Sequence, residues 1–185
     1  MVELFSALKA SYKPVDRLGK KGRYIKDKEL SNDNQQVYYN QKKKKLLYTV
    51  AGTHNLSDVG TDAYLAIGHL KDTNRYKEAD ETLKKAKAKY NPVKTIGAGH
   101  SLGGSIISYL PVDKATTLDK GATIFSTTRS KENAYRTSGD MVSLLNSNST
   151  RMKTLSNPTK RSGIFALDAL NAHNVSNIKN SNLFI

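Results

Sequence analysis

Five consecutive residues carry the strongest chemical signal in this chain: Gly99-His100-Ser101-Leu102-Gly103, a serine with glycine two places away on either side. A serine hydroxyl is a weak nucleophile until a neighbouring base takes its proton and nearby donors hold the negative charge that its attack creates. The glycine spacing suits that task. A serine on a sharp strand-to-helix turn sits in a strained backbone conformation, and a side chain two residues before or after it would collide with neighbouring backbone. The same turn places the N–H of Leu102 at the start of a helix, aimed where a carbonyl oxygen becomes negative. The chemistry such a site performs is acyl transfer, and it needs a base and an acid that the five residues alone do not identify.

The serine must be gripped by a strand on one side and a helix on the other. Residues 95–98 are small or β-branched and read as a short strand, while Ser105-Ile106-Ile107-Ser108-Tyr109-Leu110 reads as an apolar helix. Upstream, Val37-Tyr38-Tyr39 and Leu46-Leu47-Tyr48-Thr49-Val50-Ala51 read as the two strands of a hairpin. Its tip is the lysine run Lys42-Lys43-Lys44-Lys45, read as a solvated turn in preference to a dedicated phosphate site. Val2, Leu4, Phe5 and Leu8 have helical spacing; the stretch from there to residue 28, with Pro14, Gly19 and Gly22, reads as loop, and residues 31–36 as a polar turn. Residues 75–90 form a lysine-rich helix with Ala79, Leu83, Ala86 and Tyr90 on one face. Further strands are expected at 121–125 and 134–137, ahead of an apolar stretch at 141–145.

With its following Gly104, the turn resembles the class 3 (fungal-type) lipase family of α/β-hydrolases, whose elbow commonly reads Gly-His-Ser-Leu-Gly-Gly. The resemblance runs from about Leu46 to Ile178, with shorter loops than that family usually has. It implies a compact α/β-hydrolase fold, a mostly parallel central sheet flanked by helices, as one domain over residues 1–185. It also implies a serine acyl-ester hydrolase of lipase, esterase or phospholipase type. In α/β-hydrolases the nucleophile, acid and base follow one another along the chain. His54, His69 and His100 precede Ser101, which leaves His173 as the base. The acids between are Asp113, Asp119, Glu132, Asp140 and Asp168. Gly139-Asp140-Met141-Val142 resembles the family's Asp-x-Val step and makes Asp140 the orienting acid, with Asp168 the alternative. In Ala51-Gly52-Thr53-His54 the residue after glycine corresponds to the family's second oxyanion donor, so Thr53 joins Leu102.

The segment from Leu56 into residues 63–70 resembles the family's acidic helix after the oxyanion loop, capped by Ser57 or Asp58, with little room for an inserted lid. The family's Tyr-Gly-x-Pro step is missing; the chain reads Ile124-Phe125-Ser126-Thr127-Thr128 there. Triacylglycerol, phospholipid and small esters therefore all stay open as substrates.

At 185 residues and 37% hydrophobic content the chain has enough apolar material for one domain with a real core. With no cysteine, disulfides and thiolate metal sites are excluded, and no metal or cofactor is expected. No apolar run reaches membrane-spanning length and the first ten residues do not resemble a secretion signal, so a cytoplasmic location is expected. The net charge of +14 suits an anionic partner, such as an anionic membrane surface or an acidic protein, and equally a solubilising face with no specific ligand. It is uneven, since residues 1–50 hold twelve lysines and arginines against five acids. Nucleic acid is disfavoured, because no basic helix carries interleaved aromatics. Compact, basic, lid-less lipase-like proteins resembling this chain occur among large DNA viruses, which gives a second reading: a catalytically weak component of a virion, with the capsid as partner.

Overall fold

The computed structural model describes residues 2–54, 69–121, 130–140, 143, 152–156 and 172–174. The chain opens with helix α1 (Leu4–Tyr12), whose Leu4, Phe5, Ala7 and Leu8 are all buried. It ends where Pro14 forbids helical backbone for the residue before it, and the Lys13 N–H closes the last turn on the Lys9 carbonyl at 2.8 Å. Eight strands then form one sheet in chain order: β1 (Arg17–Leu18), β2 (Tyr24–Asn32), β3 (Gln35–Asn40), β4 (Lys45–Val50), β5 (Lys94–His100), β6 (Lys114–Leu118), β7 (Glu132–Thr137) and β8 (Lys153–Leu155). The sheet is mixed. Strands β1 to β4 are antiparallel neighbours and β4 to β8 parallel ones, so the nucleophile turn belongs to the parallel half.

Helix α2 (Asn74–Tyr90) lies in the β4–β5 crossover and α3 (Leu102–Tyr109) in the β5–β6 crossover. The two-residue period of β4 separates the faces of the sheet. Leu46, Tyr48 and Val50 meet Ala79, Leu83 and Ala86 of α2 and Ile106 and Ile107 of α3, while Leu47 meets the α1 side. The Thr73 hydroxyl caps α2 by accepting from the Tyr76 N–H at 3.2 Å, and Tyr90 stacks on Tyr39 with ring centroids 4.2 Å apart. The arrangement is a compact α/β-hydrolase architecture.

The hairpin, α2 and the strand at 134–137 lie where the sequence puts them. The expected loop between α1 and residue 28 is instead β1 and most of β2. A register shift between Asp27 and Asn32 breaks the alternation of β2, and only Tyr24 and Asp27 are buried in it, so no period-two signal survives. The polar turn shrinks to residues 33–34, closed by Asn32 Oδ1 accepting from the Asn34 and Gln35 N–H groups. The strand expected at 121–125 is preceded by β6, whose Ala115, Thr116, Thr117 and Leu118 are all buried between two neighbours. Gly121 lies outside any strand. Residues 55–68, 122–128 and 144–145, Asp168 and the chain beyond Asn174 lie outside the described residues. So do the expectations placed on them.

Candidate active site

Ser101 follows the last residue of β5, and the crossing of strand and helix there is as tight as backbone allows. A Cβ on Gly99 would strike the Gly103 carbonyl, and one on Gly103 would strike the Val50 carbonyl of β4. This close approach lets α3 start directly over the sheet edge. Ser101 itself has φ 54° and ψ −128°, a conformation that costs a non-glycine residue about 1–3 kcal/mol. It is held there by its N–H to the Leu118 carbonyl at 3.0 Å and by its own carbonyl, which accepts from the Ser105 N–H at 3.1 Å. The hydroxyl is at the carboxyl edge of the sheet, yet the residue is only 3% exposed among the described residues.

His173 Nε2 lies 2.8 Å from Ser101 Oγ, and His173 Nδ1 lies 2.8 Å from Asp140 Oδ1. A carboxylate can only accept, so Nδ1 carries the proton and Nε2 presents its lone pair to the hydroxyl. Asp140 comes from the turn after β7, where Gly139 takes φ 88°; its Oδ2 accepts from the Ser143 N–H at 2.8 Å. Burial opposes ionisation of this carboxyl, but the bonds from His173 and Ser143 outweigh it and hold its pKa below the ordinary value. Leu102 supplies the first N–H of α3, which has no partner within the helix. Thr53 follows β4, the parallel neighbour of β5, with Val50 in register with Gly99.

The structure also brings in residues that no local pattern marks. Tyr12, at the end of α1, accepts from the Gly52 N–H at 2.8 Å and lies 2.7 Å from His100 Nδ1. His100 Nε2 lies 2.8 Å from the backbone carbonyl of His173, which can only accept. The order of donation follows: Gly52 N–H to Tyr12, Tyr12 O–H to His100 Nδ1, and His100 Nε2–H to the His173 carbonyl. This chain ties the Gly52-Thr53 step, the turn and the segment bearing His173 to one another. Burial, reinforced by His173, pushes the His100 pKa down to about 3, so the ring is neutral and stays in the one tautomer this chain needs. Burial likewise pushes the Tyr12 phenol up to about 12.

Asp119, just past β6, was one of five acids in the sequence window and proves to be fully buried. Its carboxyl accepts from the Thr137 N–H at 2.5 Å and the Thr137 hydroxyl at 2.8 Å. Burial first, then the neighbouring Asp140 carboxylate, raises its pKa well above the ordinary value. Of the other acids, Asp113 accepts from the Thr95 N–H at the opposite end of β5. Glu132 pairs with buried Lys120 at 2.9 Å. Ligand atoms of His100, Asp119 and His173 lie within 4.8 Å of one another. Every ring nitrogen of the two histidines is already committed to Tyr12, Ser101, Asp140 or a carbonyl, so a metal ion would have to break the chain just described.

No family model and no curated protein matches the chain. Solved structures do. The Lip2 lipase from Yarrowia lipolytica superposes with a TM-score of 0.54 at 16% identity, over 84% of this chain and 77% of that one. A triacylglycerol lipase from Penicillium expansum gives 0.51 at 17% identity, over 83% of this chain and 79% of that one. The chain has a lipase-like fold. At these identities the likeness speaks for the fold alone. No helix among the described residues is long and apolar enough to cross a membrane.

Proposed function

We propose that this protein is a serine hydrolase of carboxylic esters, with Ser101 as nucleophile, His173 as general base and Asp140 as the acid that orients it. The observation that carries the reading is the unbroken series Ser101 Oγ, His173 Nε2, His173 Nδ1, Asp140 Oδ1, with a 2.8 Å hydrogen bond on either side of the ring, at a serine in a strained turn. In this reading His173 takes the Ser101 proton as Oγ attacks the ester carbonyl, and Asp140 stabilises the imidazolium without itself being protonated. The N–H groups of Leu102 and Thr53 hold the oxyanion of the tetrahedral intermediate. His173 then gives its proton to the departing alcohol. Water enters and attacks the acyl carbon as it loses a proton to His173; His173 then passes that proton to Ser101 Oγ as the acyl bond breaks, which releases the acid and restores the serine. Lipid and small esters are the substrate class; the lipase-like fold and the resemblance at the elbow favour an acyl glycerol.

A fluorophosphonate probe tests the assignment, since it labels only a serine whose proton is being removed. Labelling at Ser101 is expected in the native chain and in His54→Ala, since the His54 Nε2 lies 3.1 Å from the Asp33 carbonyl and not at Ser101. Loss of labelling is expected in His173→Ala. Labelling that survives in His173→Ala and vanishes in His54→Ala would overturn the base assignment.

A further inference from the structure

At the amino edge of the parallel strands, the far end of the sheet from Ser101, a cavity of about 240 Å³ is walled by Lys20, Arg23, Lys43, Lys45, Lys94 and Lys114. The strand register itself assembles them. Lys45 is directly opposite Lys94 in the β4–β5 pair, and Lys114 is opposite Ile96 one step along in the β5–β6 pair. Like charges placed directly across a ladder repel, and ordinarily an acid relieves them. Among the described residues none does so: none of the six cations forms an ion pair, whereas Lys84, Lys85 and Lys89 of α2 each reach a carboxylate within 2.8 Å. Asp113, the acid nearest in sequence, shares a neighbouring hollow with Lys94 and Lys114 but is bound to the Thr95 N–H and forms no ion pair with either lysine.

The floor of the cavity is apolar, made by buried Tyr24 and Ile96. Buried Asn40 also lines it; its Oδ1 is taken by the Lys43 N–H at 3.1 Å, and its amide nitrogen is a donor. Ammonium groups, one planar guanidinium fork and an amide donor around a partly open hollow, with Lys20, Arg23 and Lys43 at its solvent-exposed rim, suit phosphate oxygens. Six cations exceed what one carboxylate or one phosphate would balance. Among the described residues the one ring in the cavity, Tyr24, is buried in the floor, so none of them offers an aromatic face for a nucleobase to stack on.

We propose that this cavity binds a compact ligand carrying two or more phosphate groups, as a site separate from Ser101 and independent of the ester-hydrolase reading. Lys94 begins β5 and Ser101 follows its end, seven residues on at about 3.3 Å each, which puts the two sites about 23 Å apart. The ligand is therefore an effector or a tether and not the ester substrate. Free polyphosphates and polyphosphorylated lipid headgroups share the required chemistry.

Isothermal titration calorimetry with inorganic tripolyphosphate at low salt tests the site, and one-to-one binding at micromolar concentration is expected. The Lys45→Gln/Lys94→Gln double variant should bind at least tenfold more weakly. Lys84→Gln/Lys85→Gln, which removes the same charge from α2, should stay within twofold of the native chain. Melting temperatures check that both variants fold, and tripolyphosphate should raise that of the α2 variant by more than that of the cavity variant. Vesicles of phosphatidylcholine with a polyphosphoinositide separate the sources. Binding displaced by tripolyphosphate shows that a headgroup reaches the cavity, and binding of soluble tripolyphosphate alone assigns a free ligand. Equal weakening in both double variants would reduce the effect to diffuse charge and overturn the site. So would tighter binding to a DNA duplex than to tripolyphosphate, abolished by the same cavity substitutions, or the absence of saturable binding.

Discussion

The two ends of strand β5 solve opposite electrostatic problems. At its carboxyl end Ser101, His173, Asp140, His100 and Tyr12 are buried or nearly so, and each polar atom has a partner of the right kind. At its amino end six cations share a cavity with no carboxylate among the described residues. A preorganised site works by meeting charge that develops during reaction, so its resting state must already be balanced. A cavity that keeps charge unbalanced is poised for a ligand that brings the balance with it.

The sharpest way to break that comparison is at the balanced end. Ser101→Ala should lower hydrolysis of short-chain aryl esters by about a thousandfold or more, with no further loss when His173→Ala is added, because members of one relay act as a unit. A Ser101→Ala chain as active as the native one would remove the ester-hydrolase reading. It would also leave the paired network without a purpose.

Next in size is the contest between the two acids. Asp140→Asn should cost about a hundredfold to ten-thousandfold in kcat, since an amide cannot stabilise the imidazolium. Asp119, whose carboxyl is taken up by the Thr137 N–H and hydroxyl, should tolerate Asp119→Asn with a loss below about tenfold. Reversed magnitudes would hand the orienting role to Asp119.

Smaller still is an effect on stability. The folded His100 has a pKa of about 3, far below its ordinary 6.5, so as pH falls the unfolded chain takes up this proton first. The stability that neutral His100 contributes is full above pH 6.5 and drains away between there and 3, by at most about 1.4 kcal/mol per pH unit. His100→Gln, which keeps a donor for the His173 carbonyl and an acceptor for Tyr12, should flatten that slope in urea titrations run from pH 7 to 4. An unchanged slope would show that another group governs acid unfolding.

The least effect belongs to the unbalanced end. Lys94→Gln should leave ester hydrolysis unchanged and raise stability by about 0.5 kcal/mol or less at low salt, a gain that vanishes near 1 M salt. A loss of stability would mean that the lysine is already compensated.

How much of this was legible depended on whether the signal was local. The elbow, the hairpin and α2 announce themselves within a few residues, through glycine spacing, paired apolar runs and a 3.6-residue stripe. The acid and base were nominated from chain order and family resemblance, and the fold brings His173 into hydrogen-bond contact with Ser101 and Asp140 into hydrogen-bond contact with His173. Tyr12 and Asp119 had no such handle. A tyrosine closing a helix and one aspartate among five acquire meaning only when α1 and β6 dock beside β5. Strands β2 and β6 were hidden for the same reason, one by its register shift and the other by its small residues, which are strand-like only between neighbours. The cationic cavity escaped because Lys45, Lys94 and Lys114 are far apart in sequence and meet through register.

The tie from Tyr12 through His100 to the His173 carbonyl spans 88 positions of chain in one direction and 73 in the other. Contacts of such separation form late, because the loops they close cost entropy before they return any stabilisation. On a ribosome, Ser101 is made well before His173. Until residues 172–174 dock, the serine is an ordinary alcohol. In the proposed mechanism, ester cleavage therefore cannot begin before residues 172–174 have been made and docked beside Ser101.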